Sequence, residues 1–302
     1  MPHDRTIEDR AWESYWRENE GRGCVPDSPG VAKVLGGCWT DFARSLPPKC
    51  MVLDLGTGAG AVLDQLSAVR PDLQLFGIDS AASIRPRPGM EIITSATMES
   101  LAFDDSHFAA ACSQFGFEYS DTARSSAELA RVLAPHSPVR LIIHDRSGPI
   151  VKQSKGRLEA LRWAVEQNDF FGTAERLADA RSFGRLPTPP SFAQAIATAR
   201  QTFPRQPVAA DVLSALHAIL IAGERGAQDS RAAIRGLRDR ATNEMITLNA
   251  LMRAARDRAG VKALAAVLEA AGIATAEPAA LVEPQCGLAF AWLVDGMRIA
   301  RE

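Results

Sequence analysis

The chain is poor in the residues that staple or metallate a fold. Its five cysteines (Cys24, Cys38, Cys50, Cys112 and Cys286) are odd in number, scattered, and never form a C-x-x-C pair. That argues against a disulfide framework or a thiolate zinc site and fits reduced thiols in a cytoplasm. The five histidines show no metal-ligand spacing either. No apolar run approaches the roughly 18–20 residues that cross a bilayer. Residues 1–20 are charged throughout and have no apolar centre, so no secretory signal is expected there. There is no internal repeat and no low-complexity tract.

What remains is the composition of an ordinary globular protein, with 302 residues, 46% hydrophobic and 23% charged. That length can bury one large core or two modest ones. The net charge of −2 is unevenly spread. Residues 1–145 hold 13 Lys/Arg against 20 Asp/Glu, residues 146–258 hold 18 against 11, and residues 259–302 hold 3 against 5. An acidic frame thus carries a basic middle segment, which can steer an anionic partner.

The most informative stretch is Met51-Val52-Leu53-Asp54-Leu55-Gly56-Thr57-Gly58-Ala59-Gly60. An apolar run with one carboxylate breaks into three glycines at alternate positions, and helical spacing resumes at Ala61. The pattern predicts a buried strand, a tight turn and a helix N-terminus. Glycines at such a turn permit left-handed backbone and close approach of a ligand to the main chain. A second apolar run, Leu73 to Ile78, ends in Asp79, which lies 19 positions beyond Gly60. Folds of this type place an acid near that offset on a ribose diol. The pair points to an adenosine-containing ligand. The G-x-G-x-G spacing and the preceding Asp54 argue against NAD.

These residues resemble the class I S-adenosylmethionine-dependent methyltransferases, most closely the small-molecule branch that includes the ubiquinone/menaquinone-type enzymes. The first family motif matches Asp54 to Gly60, and the ribose-binding acid matches Asp79. Met98 to Phe108 is similar to the adenine-side segment, and Glu128 to Pro135 to the helix before the fifth strand. Thr97 stands where the family often carries an acid. His136-Ser137-Pro138 replaces its glycine pair before strand five. The resemblance implies S-adenosyl-L-methionine as cofactor and S-adenosyl-L-homocysteine as product. It implies cofactor contacts from Asp54, Gly56, Thr57, Gly58, Gly60, Asp79, Ser80, Met98 and Glu99, with Ser113 and Gln114 beside the reacting methyl.

Alternating strands and helices over residues 49–146 predict an α/β, Rossmann-like core. Its sheet is expected to be seven-stranded, mostly parallel, covered by helices on both faces and closed by an antiparallel hairpin. The elements expected include a short helix at 81–84 and strands at 273–283 and 286–297. Residues 1–48 are expected to form a helical lid, or to pack on the sheet edge. Residues 147–258 read as an all-helical insertion after strand five, serving as a substrate cap or a homodimer seam. Residues 259–302 complete the core. Within the insertion, Ile234, Leu237, Ala241, Met245, Leu248 and Met252 mark one apolar helix face, and Arg231, Arg235 and Arg238 another.

Methyl transfer asks the protein for alignment, desolvation and, for some acceptors, proton removal. Tyr15, Trp16, Phe115, Phe117 and Tyr119 are the candidate substrate contacts, and His144 and Glu118 the candidate bases. Each has a structural alternative in core packing or a satisfied sheet edge. The favoured reading is a cytoplasmic enzyme of small-molecule or secondary metabolism that O-methylates an aromatic or hydroxylated, partly apolar metabolite. One alternative is a peptide, carrier-bound or RNA acceptor met through the basic insertion, although nucleic acid is disfavoured and no Asn-Pro-Pro-Tyr-type stretch supports base methylation. The other is a cofactor-binding scaffold without catalysis.

Overall fold

The computed structural model describes residues 5–18, 28–85, 87–224 and 229–300. Cys24 and the Gly/Pro-rich loop around it lie outside the described residues. Two compact units are present, residues 1–152 with 250–302, and residues 153–249.

The first unit is built on one sheet of eight strands, seven of them ordered β3-β2-β1-β4-β5-β8-β6 and the eighth, β7, also paired with β8. β1 (Met51–Leu55) lies at its centre, parallel to β2 (Gln74–Ile78) and β4 (Ala110–Gln114). β3 (Met90–Ile93) extends the parallel sheet beyond β2, and β5 (Pro138–His144) extends it beyond β4. Period-two alternation explains why both faces are buried. Val52, Leu75, Cys112 and Ile142 face one cluster, with Leu35, Trp39, Leu63 and Leu66. Those last four belong to α2 (Pro29–Ser45) and α3 (Ala61–Val69). Leu53, Leu55, Ala111, Leu141 and Ile143 face the other, with Leu129 of α4 (Thr122–Val132). Leu264 and Leu268 of the later helix Arg258–Ala270 complete that second cluster.

The closing strands differ in number from the sequence expectation. β8 (Ala289–Arg298) runs antiparallel to β5, with Arg140 opposite Asp295. Its other edge carries two short strands, β6 (Ile273–Thr275) and β7 (Ala279–Val282), in place of one arm. Pro278 interrupts the ladder because it has no N–H to donate. The short helix expected at 81–84 is a turn. There Asp79 Oδ1 accepts the Ala81 N–H at 3.0 Å, an Asx-type contact that competes with helix formation. Before the sheet comes α1 (Arg5–Glu18).

The second unit is helical throughout its regular structure, entered through α5 (Pro149–Val165) and left through α9 (Ser230–Ala254). Between them lie α6 (Phe170–Ala180), α7 (Ser191–Thr202) and α8 (Val208–Glu224). Phe171, Phe192, Leu213, Leu216, Leu220 and Ile234 form its buried interior. Arg231 pairs with Asp179 at 2.9 Å and Arg238 with Glu175 at 3.1 Å. Arg238 also lies over the Phe171 ring. α10 (Arg258–Ala270) then returns the chain to the sheet. Among the described residues no helix is long and apolar enough to cross a membrane.

Candidate cofactor site

The carboxyl ends of β1, β2 and β4 converge on one turn. Gly56, Gly58 and Gly60 have φ of 68°, 50° and 79°, the left-handed region that glycine enters without strain. Two hydrogen bonds latch this turn to the end of β2. Thr57 N–H donates to Ile78 O at 2.9 Å, and Gly58 N–H donates to Asp79 Oδ2 at 2.8 Å. Asp79 therefore has both carboxylate oxygens held by main-chain donors, and burial raises its pKa.

Asp54 lies beneath the turn and is 1% exposed. Burial pushes its pKa up to about 7, and Cys112 Sγ approaches its Oδ1 at 3.6 Å. Its Oδ2 has no hydrogen-bond partner.

Opposite the glycines, β4 ends in a second turn that the sequence reading did not single out. Phe115 takes φ 56°, unusual for an aromatic residue, and Gly116 follows. A Cβ on Gly116 would stand 2.9 Å from Leu55 O and 3.2 Å from Gly56 Cα, so the two turns touch backbone to backbone. Met98 closes on the same place, its Cε 2.9 Å from where a Cβ on Gly56 would be.

The cavity above these turns is walled by Gly56, Asp79, Ser80, Met98, Glu99 and Gly116. Trp12, Trp16, Phe115 and Tyr119 add four aromatic rings, and Glu8 and Asp9 add two carboxylates from α1. The lining comes wholly from the first unit, with no residue of 147–258. The helix α1 is fixed by the Glu8–Arg253 ion pair, by Ser83 Oγ donating to Glu13 O at 2.9 Å, and by Trp12 edge-on to Tyr119. The indole of Trp16 rests on Gly58, where a Cβ would come within 2.3 Å of the ring.

Several expected contacts lie elsewhere. Ser113 is fully buried, donates to Leu55 O at 2.6 Å and accepts from Phe117 N–H at 3.0 Å, so it clamps the two turns together. Gln114 accepts the Trp39 indole N–H at 2.7 Å. Neither flanks the cavity. Phe117 is fully buried in the core cluster with Leu53 and Leu129, not in a substrate wall. Tyr15 packs edge-on against Trp12 and Trp16 without lining the cavity. Thr57, Gly58 and Gly60 shape the turn from below. His144 and Glu118 are both 2% exposed and bonded to each other, Nδ1 to Oε1 at 2.8 Å, behind Phe115.

Residues 53–140 match the family described as methyltransferase domain. No curated protein matches the chain by sequence. Several solved structures are similar to the chain. A 1,6-didemethyltoxoflavin-N1-methyltransferase from Burkholderia thailandensis is 12% identical over 99% of this chain and 91% of its own, with TM-score 0.50. A SAM-dependent methyltransferase from Aquifex aeolicus is 14% identical over 90% and 95%, with TM-score 0.46. One from Mesorhizobium loti is 11% identical over 85% and 96%, with TM-score 0.44. At Gly56 and Gly116, main chain and not side chain lines the cavity. Residues 53–140 are thus similar to a methyltransferase domain, and the fold is shared with the Burkholderia thailandensis methyltransferase.

Proposed function

We propose that the chain methylates a small-molecule acceptor held under α1, with O-methylation of an aromatic or hydroxylated metabolite as the favoured reaction. The carrying observation is that four aromatic rings share one cavity with Gly56 and Asp79. Flat apolar walls suit a planar acceptor, and the neighbouring carboxylates Glu8 and Asp9 suit hydroxyl or amino groups on its rim. S-adenosylmethionine, the cofactor this reading implies, would supply the electrophilic methyl group. The chain's own residues orient and desolvate: the glycine turn lets the ligand approach the main chain closely, Asp79 accepts from a ribose diol through its remaining lone pairs, Met98 and Glu99 border the base, and the rings exclude water.

The Burkholderia thailandensis protein is described with 1,6-didemethyltoxoflavin and S-adenosylhomocysteine bound, which supports screening small molecules first. The charged part of the lining tempers the expectation of a partly apolar acceptor. In this reading residues 1–48 act as the lid, 49–146 with 259–302 as the catalytic core, and 147–258 as an accessory helical insertion. A macromolecular acceptor bound through Arg231 and Arg238 is disfavoured by their ion pairs with Asp179 and Glu175.

The test is calorimetry of S-adenosylmethionine, S-adenosylhomocysteine and NAD against wild type and Asp79→Ala. Micromolar binding of the adenosyl ligands, weakened roughly 10–100-fold by the substitution, is expected. Preference for NAD, or no binding of any of the three, sinks the cofactor assignment. Methyl transfer is then read by release of S-adenosylhomocysteine across a panel of phenols, amines and heterocycles.

A further inference from the structure

Glu118 has no part in holding the cofactor, yet it is wired to the cavity wall. It sits in a short 3-10 turn, Phe117–Tyr119, just after β4. Its Oε1 makes two hydrogen bonds to one residue: it accepts the main-chain N–H of His144 at 3.0 Å, and it bonds the ring Nδ1 at 2.8 Å. One carboxylate oxygen therefore fixes both the backbone and the ring of His144 at the end of β5. Its other oxygen, Oε2, is buried and has no partner. Keeping such a group is unfavourable in itself and asks for a reason.

The ring of His144 stacks on Phe115, with centroids 4.0 Å apart and planes 23° from parallel. Phe115 lines the cavity and holds φ 56°. A bulky residue in that region persists only where its surroundings over-determine it. Its N–H is anchored to Ile142 O at 2.8 Å, and its ring is braced by His144. The residues after Glu118, Tyr119 and Ser120, also line the cavity. Glu118 thus ties the 3-10 turn, the end of β5 and the Phe115 ring into one rigid unit.

We propose that Glu118 is a positioning residue for the transfer site: through His144 it holds the Phe115 ring and the Phe115-Gly116 turn, left-handed at Phe115, in the place where they meet ligand. The proposal rests on the reading of this cavity as the methyl-transfer site. Neither Glu118 nor His144 lines the cavity, so both act through Phe115 and not on the reacting atoms.

The test uses the full chain labelled with 4-fluorophenylalanine, the Phe115 fluorine resonance being assigned by its loss in Phe115→Leu. In Glu118→Ala this resonance moves toward the position of free fluorophenylalanine. The S-adenosylhomocysteine Kd rises about tenfold in the same variant, the equivalent of about 1.4 kcal/mol. Glu118→Gln keeps an oxygen that both N–H groups of His144 can reach, so it leaves the resonance in place and the Kd within about twofold. Leu268→Ala, a remote core variant, controls for lost stability and lowers Tm without moving the resonance. An unmoved resonance in Glu118→Ala overturns the proposal. So does a Glu118→Gln variant as impaired as Glu118→Ala, because the negative charge and not the placement would then matter. If wild type binds no S-adenosylhomocysteine, the cofactor reading falls, and the fluorine measurement alone still decides whether Glu118 holds Phe115.

Discussion

Asp54 shows how burying one carboxylate ties the stability of the fold to pH. Its folded pKa, raised by burial to about 7, means that the native state binds its proton more tightly than the unfolded chain does. The stability it contributes is present below the unfolded value near 4 and is lost as pH rises through about 7. Asp79 is raised too and acts in the same direction. Asp54→Asn is therefore expected to flatten the dependence of Tm on pH between about 4 and 7, wild type losing more stability over that interval than the variant. Each pH unit is worth at most about 1.4 kcal/mol for a single group. Parallel slopes would place the titration elsewhere. Gly116 makes a separate prediction. In Gly116→Ala the added methyl meets Leu55 O and Gly56 Cα, main-chain atoms that cannot swing away. We expect a loss of roughly 1–3 kcal/mol in denaturant unfolding together with weaker S-adenosylhomocysteine binding. Normal affinity at reduced stability would separate the two turns functionally.

At the level of elements, what could be read from the sequence was what local chemistry dictates. Strand β1, its three glycines and Asp79 announce themselves because an apolar run, a left-handed turn and a terminal acid each leave a residue signature. The Phe115-Gly116 turn leaves none, since nothing in a lone Phe announces a positive φ; tertiary contacts from His144 and Ile142 impose it. Ser113 and Gln114 look like ligand contacts in a linear string because polar residues at a strand end usually are, and only the fold reveals Leu55 O and Trp39 as their partners. Of the two rings expected from α1, Trp16 lines the cavity and Tyr15 does not. Residues 8, 9, 12 and 16 share the cavity side at helical spacing, while Ala11 is buried and Tyr15 stands aside. The junction of β5 with β8 carries its own test. Arg140 forks onto both oxygens of Asp295 at 2.7 Å, donates to Cys38 O at 2.6 Å and lies over Phe42. Arg140→Lys keeps the charge but loses the fork, and should lower the unfolding free energy by about 1–3 kcal/mol in guanidinium titration. An unchanged midpoint would reduce that junction to ordinary ladder pairing.

For the whole chain, the cavity belongs to one of two compact units, and this predicts where a ligand is felt. Hydrogen exchange with saturating S-adenosylhomocysteine should slow around residues 54–60, 78–81, 96–99 and 115–120 and in α1. Amides of 153–249 should be unaffected. Protection spreading through α6 to α8 would show that the helical segment senses the cofactor.

The break between β6 and β7 has a meaning beyond strand counting. Together the two pieces form the outer margin of the sheet beyond β8. An unbroken margin would offer a row of unpaired amides as a template for a second chain, and Val282 and Met297 nearby are exposed. Pro278 removes a donor from that row, and the Ala276 N–H turns inward to Asp295 O at 2.8 Å. We expect the proline to act as a gatekeeper against self-association. Pro278→Val should leave the monomer folded while raising light scattering during prolonged incubation at high concentration.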